Sequence, residues 1–304
     1  RAVVTGTAVC GIPINSGAGL LTVNTAPAIT TQPVASTTLC AGNNTTYTVV
    51  ANGTALTYQW QLSTTGAGGP WTDISNTGVY SGSATASLTI TGVVVGMDTY
   101  QYRAVVSGTC TPPAISNAAV LTVNTPISIT TQPVLTINVC ATGSASFTTI
   151  AGGTSPSYQW QVSSNGGTSW ANVANGGVYA GASSTTLMIS NITAAMNGYL
   201  YRTVVSGAAP CASVNSDIAT LNVTPQPVIT ASETSLLAGQ QSILTVNVTP
   251  GPGLSFAWYL DGVLQTAATG NSIIATVNSL GNYRVVISSV TGSCQSELVE
   301  IKAT

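Results

Sequence analysis

The four arginines of this chain occupy one slot of a repeated pattern: RAVVTG at Arg1, YRAVVSG at Arg103, YRTVVSG at Arg202 and YRVVISS at Arg284. A charged residue that returns once per copy, at the same point of an alternating apolar strand, marks tandem duplication of a unit of about 100 residues. The chain must then fold as a row of small, like domains, each closing its own core.

Two copies align along nearly their whole length. Residues 26–125 contain APAITTQPV, TYTVVA, LTYQWQLS, GVYSG, ASLTITG, YQYRAVVSG and AAVLTVNT. Residues 126–224 answer with PISITTQPV, SFTTIA, PSYQWQVS, GVYAG, TTLMISN, YLYRTVVSG and IATLNVT. A shorter third copy covers 225–304. Residues 1–25 match only the last two strands of a copy, so the expectation is a chain that begins in mid-domain and extends further upstream in the natural protein. Within a copy, apolar residues alternate over short runs bounded by Gly, Asn and Ser, the pattern of an all-β sandwich. On the strand after the Cys40 turn, Tyr47, Val49 and Ala51 point inward, matched by Phe147, Thr149 and Ala151 and then by Leu244, Val246 and Val248. Trp60, Trp160 and Trp258, with Tyr102, Tyr201 and Tyr283, are the large core residues of the three copies.

Composition removes whole classes of function. Five Lys plus Arg face seven Asp plus Glu, and only 4 % of side chains are charged, so there is no basic footprint for nucleic-acid phosphates and no polybasic patch for anionic lipid. The absence of histidine takes away the commonest general base, nucleophile partner and zinc ligand. No apolar run is long enough to span a membrane. Residues 1–304 carry no signal peptide and no initiator Met, which reads as a mature or excised segment. Six cysteines, one or two per repeat, suit an oxidising, extracellular setting.

The motifs YQW at 58–60 and 158–160 and FAW at 256–258, with Asp98-Thr-Tyr-Gln-Tyr102 and Asn197-Gly-Tyr-Leu-Tyr201, resemble the buried strand C tryptophan and the strand F tyrosine corner of immunoglobulin-like domains. The B–F core disulfide of that fold is absent, its places holding Val49 on one strand and Ala104, Thr203 and Val285 on the other. The strings TTQP, CAG, YQWQ, GVYSG and YRAVVSG resemble more closely the immunoglobulin-like repeats of very large secreted surface proteins of Bacteroidota, including gliding-motility adhesins exported by type IX secretion. This resemblance implies an all-β fold of tandem immunoglobulin-like β-sandwiches in a linear array: the tail of one domain at 1–25, full domains at 26–125 and 126–224, and a shorter immunoglobulin- or PKD-like domain at 225–304. It also implies a location outside the cell, at its surface.

Candidate sites are few. Arg103 and Arg202 face solvent beside Gln59 and Gln61 and their equivalents, and Trp71 and Trp170 are placed to receive the guanidinium in a cation–π stack. Read structurally, the arginine covers an exposed aromatic edge; read functionally, it is a recognition point for carboxylate or sugar. Its recurrence in every copy favours the first. The carboxylates Asp73, Asp98, Asp217, Glu233, Asp261, Glu297 and Glu300 are scattered at no spacing that suits calcium, and only Glu297 and Glu300 lie close enough to suggest a carboxylate pair. Tyr80, Tyr179, Trp71 and Trp170 are candidates for a flat aromatic platform for polysaccharide, but aromatics in a GVYSG-like turn are more readily packed beneath the loop. No catalytic residue, cofactor or metal ligand is expected.

Cysteine pairing follows from the immunoglobulin-like topology. Cys40 and Cys140 fall between strands A and B, at the C-terminal end of their domains, whereas Cys110 and Cys211 fall between F and G, at the N-terminal end. A strand separates these ends by roughly 25 Å, and disulfide Cα atoms lie within about 7 Å. Bridges between successive domains, Cys40–Cys211 and Cys140–Cys294, are therefore expected, with partners for Cys10 and Cys110 upstream. The function implied is a non-enzymatic stalk of a long adhesin or filament, made of further copies of the repeat. Its distal partners are surface polysaccharide or other cells. The alternatives are a carbohydrate-binding array or the accessory region of a secreted polysaccharide-degrading enzyme.

Overall fold

The computed structural model describes residues 3–4, 14–15, 17–248, 254–289 and 292–304. The chain divides into two compact units, Arg1–Thr125 and Pro126–Thr304. Arg1 and Cys10 lie outside the described residues.

The first unit contains one complete sandwich. Its larger sheet runs Ser36–Cys40, Ala119–Asn124, Gln101–Ser107, Thr57–Ser63 and Thr72–Asp73, with Ala114–Ile115 also paired to Gln101–Ser107. The facing sheet runs Thr45–Thr48, Ser87–Ile90 and Tyr80–Ser81, extended by the pair Ala28–Thr31 and Val50–Asn52. Strict alternation on Gln101–Ser107 buries Tyr102, Ala104 and Val106 while the residues between them stay half-buried, the burial rhythm of a strand with one face on a core. Trp60, Tyr47, Leu88, Ile90 and Leu121 fill the space between the sheets. The Trp60 indole donates to Thr85 O at 3.0 Å, which satisfies its one polar atom inside an apolar core.

The TTQP string acquires a physical role here. Pro33 lacks an N–H and ends the Ala28–Thr31 strand. The chain then changes sheets and pairs Ser36–Cys40 parallel to Ala119–Asn124, in the register Val120↔Ser36 through Asn124↔Cys40. Gln32 secures the switch by accepting from Asn117 N at 2.8 Å, and Gln132 accepts from Asp217 N at 2.9 Å in the next copy. In the turn after Tyr80, Gly82 sits at φ +77°, and a Cβ there would collide with Ser87 O. That is why the GVYSG and GVYAG strings end in glycine.

The second unit holds two sandwiches. In the first of these, the strands Thr136–Cys140, Ala219–Thr224, Tyr199–Ser206, Ser157–Ser163 and Ala171–Asn172 form one sheet, and Ala145–Thr148, Thr186–Ile189 and Tyr179–Ala180 form the other. Thr136–Cys140 again runs parallel to the last strand, with Cys140↔Thr224 as the final rung. Trp160 donates to Ser184 O at 2.9 Å. The third sandwich orders Ser235–Leu236, Val299–Ala303, Gly281–Ser289, Ser255–Leu260 and Val263–Leu264 against a sheet of Ile229–Ala231, Gln241–Val246 and Ser272–Thr276. Trp258 is fully buried and donates to Gly270 O at 2.9 Å.

Two details depart from expectation. In the first two copies the buried tyrosine makes no corner: the Tyr102 hydroxyl meets Tyr80 OH at 3.3 Å and the Tyr201 hydroxyl meets Tyr179 OH at 3.1 Å. Only Tyr283 donates to a backbone carbonyl upstream, Ser279 O at 2.5 Å. At the N-terminal end, Val3↔Asn15 and Val4↔Ile14 pair antiparallel, the same hairpin register as Val105↔Ile115 and Val106↔Ala114. The run from Gly17 to Pro27 carries no strand, and Leu20 and Leu21 are 94 % and 86 % exposed. Near its end, Thr25 N donates to Thr54 Oγ1 at 2.9 Å and Thr25 O accepts from Thr54 N at 3.0 Å.

The tyrosine pairs have a consequence for alkaline stability. Burial pushes the hydroxyls of Tyr102 and Tyr201 well above the ordinary tyrosine value of 10.0, and those of Tyr47, Tyr80 and Tyr179 also rise, chiefly through burial. A proton held more tightly in the folded than in the unfolded state stabilises the fold fully below the unfolded value, and that stabilisation is lost as pH rises from there through the higher folded value. The first two sandwiches are therefore expected to unfold progressively above about pH 10. Circular dichroism and tyrosinate absorbance should change together; full ionisation of the tyrosines with the β-spectrum intact would contradict this.

Candidate functional site

The recurring arginine and its neighbours form the most regular polar cluster on the surface. Register places Arg103 opposite Gln61 and Arg202 opposite Gln161. Arg103 Nε donates to Gln61 Oε1 at 2.8 Å, and Gln61 Nε2 passes the chain on to Asp73 Oδ1 at 2.9 Å. The Arg103 guanidinium carbon stands 4.2 Å from the centre of the Trp71 ring. The second copy repeats this geometry: Arg202 Nε to Gln161 at 2.9 Å, Gln161 to Asn172 at 3.0 Å, and 4.2 Å from Arg202 to Trp170. In the third copy Tyr259 takes the glutamine's place opposite Arg284, and the guanidinium lies 5.2 Å from its ring.

These arginines are half-buried in their stacks rather than fully exposed. Each guanidinium stands over an aromatic ring at cation–π distance, and a half-buried arginine of this kind contributes packing as well as charge. That Asp73 and Asn172 serve equally at the end of the ladder points to a need for an oxygen acceptor, with no need for its charge. Gln59, expected beside Arg103, turns away and donates to Trp60 O at 2.8 Å and Ile74 O at 2.9 Å.

The carboxylates of Asp73, Asp98, Asp261, Glu297 and Glu300 are engaged in structure. Asp98 accepts from Val123 N and Asn197 from Val223 N, both at 2.8 Å, so Asp and Asn are again interchangeable. Glu297 accepts from Gln226 Nε2 at 3.0 Å, and Glu300 pairs with Lys302 at 3.0 Å, so the two do not converge on one cleft. Tyr80 and Tyr179 pack inward against Tyr102 and Tyr201 at ring separations of 6.2 and 6.3 Å, which leaves no aromatic platform in the turns. Among the described residues, no three His, Cys, Asp or Glu side chains gather around one metal position.

Two disulfides are present among the described residues. One joins Cys140, the last residue of its strand and level with the C-terminal end of the second sandwich, to Cys294 in the hairpin of the third, with a Cα–Cα distance of 5.6 Å. A polar cleft of about 470 Å³ opens on its Cys140 side, lined by Thr142, Gly143, Gln226, Ser293, Gln295 and Glu297. Cys40 and Cys211 belong to different units, and their pairing is taken up below. Cys110 is a half-buried free thiol.

Set beside known structures, the chain is similar to an I-band fragment of titin, domains I67–I69, at 19 % identity and a TM-score of 0.59, with 92 % of this chain and 99 % of that one covered. A Glu-to-Ala variant of the same three titin domains gives 18 % and 0.58, with 92 % and 99 % covered. Immunoglobulin domains 1–5 of Sidekick-1 give 17 % and 0.49, with 93 % and 60 % covered. At such identities the likeness to the titin fragments establishes the fold: tandem immunoglobulin-like sandwiches. No curated protein matches the chain. The two well-aligned copies, residues 29–125 and 133–225, each match one family model, and the chain accordingly belongs to the family described as Domain of unknown function (DUF8696).

Proposed function

We propose that this chain is a stretch of a non-enzymatic stalk, built of immunoglobulin-like sandwiches in a long cell-surface adhesin or extracellular filament. The repeat strings favour the gliding-adhesin type of protein that Bacteroidota export by type IX secretion. The observation that carries the reading is the Cys140–Cys294 bond. It closes neither core; it ties two successive sandwiches together at a joint, and a covalent tie there limits bending. We extend the scheme to a Cys40–Cys211 bridge between the first and second sandwiches. Disulfides persist outside the reducing cytosol, which supports an extracellular place. No helix among the described residues is long and apolar enough to cross a membrane.

The full chain on an array of surface polysaccharides is expected to bind none. Arg103→Gln is expected to lower the first sandwich's stability by at most about 1 kcal/mol, the worth of a partly exposed cation–π contact, and to leave adhesion of the whole protein unchanged. Glycan binding abolished by Trp71→Ala together with Trp170→Ala would replace the stalk with a carbohydrate-binding array. A non-reducing peptide map is expected to yield Cys40 linked to Cys211, and a Cys40–Cys110 peptide would overturn the stapled joint.

A further inference from the structure

The third sandwich differs from its companions at one edge. In the first two, the strands Ser87–Ile90 and Thr186–Ile189 are flanked on the outside by the two-residue strands Tyr80–Ser81 and Tyr179–Ala180. In the third, the equivalent strand Ser272–Thr276 pairs with Gln241–Val246 on one side and, among the described residues, with no strand on the other. An open groove of about 490 Å³ lies beside it, between Leu264–Ala268 and Ser272–Ile274.

The register identifies which backbone groups are open. Val246 N bonds Asn271 O at 2.9 Å, so in an antiparallel ladder the pairs Leu244↔Ile273 and Ser242↔Ala275 also exchange hydrogen bonds, and Ser272, Ile274 and Thr276 point theirs outward. Thr276 is closed off locally, its N–H donating to Ser279 Oγ and its carbonyl accepting from Ser279 N, both at 2.9 Å. The N–H and C=O of Ser272 and Ile274 are left facing the groove. Exposed edges in folded proteins are usually blunted by a lysine, a proline, a bulge or extreme shortness. The sequence Ser-Ile-Ile-Ala-Thr has none of these, and Ile274 and its cross-strand neighbour Ile243 are 56 % and 51 % exposed.

We propose that a second copy of this chain occupies the edge. Two Ser272–Thr276 strands pair antiparallel about a two-fold axis at Ile273, each Ser272 opposite the other copy's Ile274. This register uses every open backbone group of the strand, four hydrogen bonds in all by the antiparallel rule of two per bonded pair. It sets Ile273 against Ile273, opposes no charges and is self-complementary, as a two-fold interface requires. The contact is short, so the association is weak and suits lateral contact among many aligned chains. It goes beyond the stalk reading and does not depend on it.

Sedimentation of the full chain over a concentration series tests the proposal. Self-association is expected, and Ile274→Pro, which deletes an outward-facing N–H without touching the Gln241–Val246 ladder, should weaken it at least about tenfold. Ile274→Lys serves as the second variant if the proline perturbs folding, with an unchanged β-spectrum as the control. In a background with both Cys10→Ser and Cys110→Ser, Ile273→Cys is expected to form an inter-chain disulfide, because directly opposite residues of a non-hydrogen-bonded pair bring their Cα atoms to about 4.5 Å. A strictly monomeric chain, association indifferent to Ile274→Pro and Ile274→Lys, or failure of Ile273→Cys to cross-link would each overturn it.

Discussion

Replacing Trp160 with alanine is expected to unfold the second sandwich. The indole is fully buried, packs 6.4 Å from the Phe147 ring and donates to Ser184 O. Its backbone N–H donates to Ala182 O and its C=O accepts from Val173 N, both just past the ends of short strands. Truncation would leave a large cavity beneath both sheets and a carbonyl without its donor. Buried Trp→Ala changes cost about 3–5 kcal/mol, and small domains have only about 5–15 kcal/mol in total. Calorimetry of the variant should lose or sharply lower one transition, while that of the first sandwich, with its own Trp60 core, stays where it was. An unshifted set of transitions would remove Trp160 from the core.

The paired change Cys140→Ser with Cys294→Ser is expected to lower the second and third sandwiches by about 2–4 kcal/mol each. The bond spans 154 residues of sequence, yet the relevant loop is smaller. With one sandwich folded, unfolding the other releases a loop of roughly 70–85 residues still tied at both ends, and the tie withholds much of that loop's entropy. Serine at Cys294, a buried position, adds the cost of seating a hydroxyl. Because reduction would cut both disulfides, the variant is the cleaner measurement. It should shift two calorimetric transitions and leave the first sandwich's alone. Transitions equal to those of the parent would mean that the bond constrains neither sandwich.

The chain shows plainly which elements exist and which residues are central, and it conceals how their polar atoms are satisfied. Period-two alternation brings out Tyr102, Ala104 and Val106 as one face of a strand because burial in a sheet depends only on parity. Tyr47 and Val49, Phe147 and Thr149, and Leu244 and Val246 follow the same rule and are all buried. Arg103 over Trp71 was also accessible, since register and a following aromatic suffice to place it. The Tyr80–Tyr102 hydroxyl pair was not: it joins the two sheets across the core, and its geometry depends on rotamers and sheet separation that periodicity does not encode. Gln32, Gln59 and Asp98 were opaque for the same reason, each spending its side chain on a backbone group far away in sequence. The open edge of the third sandwich is foreshadowed only by the lack of a GVYSG-like turn there, and an absence becomes informative only when the surviving strands are seen in order.

The parallel pairing of an early strand with the last one gives these sandwiches a particular response to tension. Pulled by its two ends, the first sandwich is drawn one way along Ser36–Cys40 and the opposite way along Ala119–Asn124, so the five rungs from Val120↔Ser36 to Asn124↔Cys40 are sheared together. An antiparallel pair loaded at its open end would peel instead, one bond at a time. The second sandwich has the same five rungs, Thr136↔Thr220 to Cys140↔Thr224. The third keeps two, Ser235↔Lys302 and Leu236↔Ala303. There the covalent link at Cys294 would take up the pull once those two rungs gave way, holding the rest of that sandwich's hairpin to its neighbour.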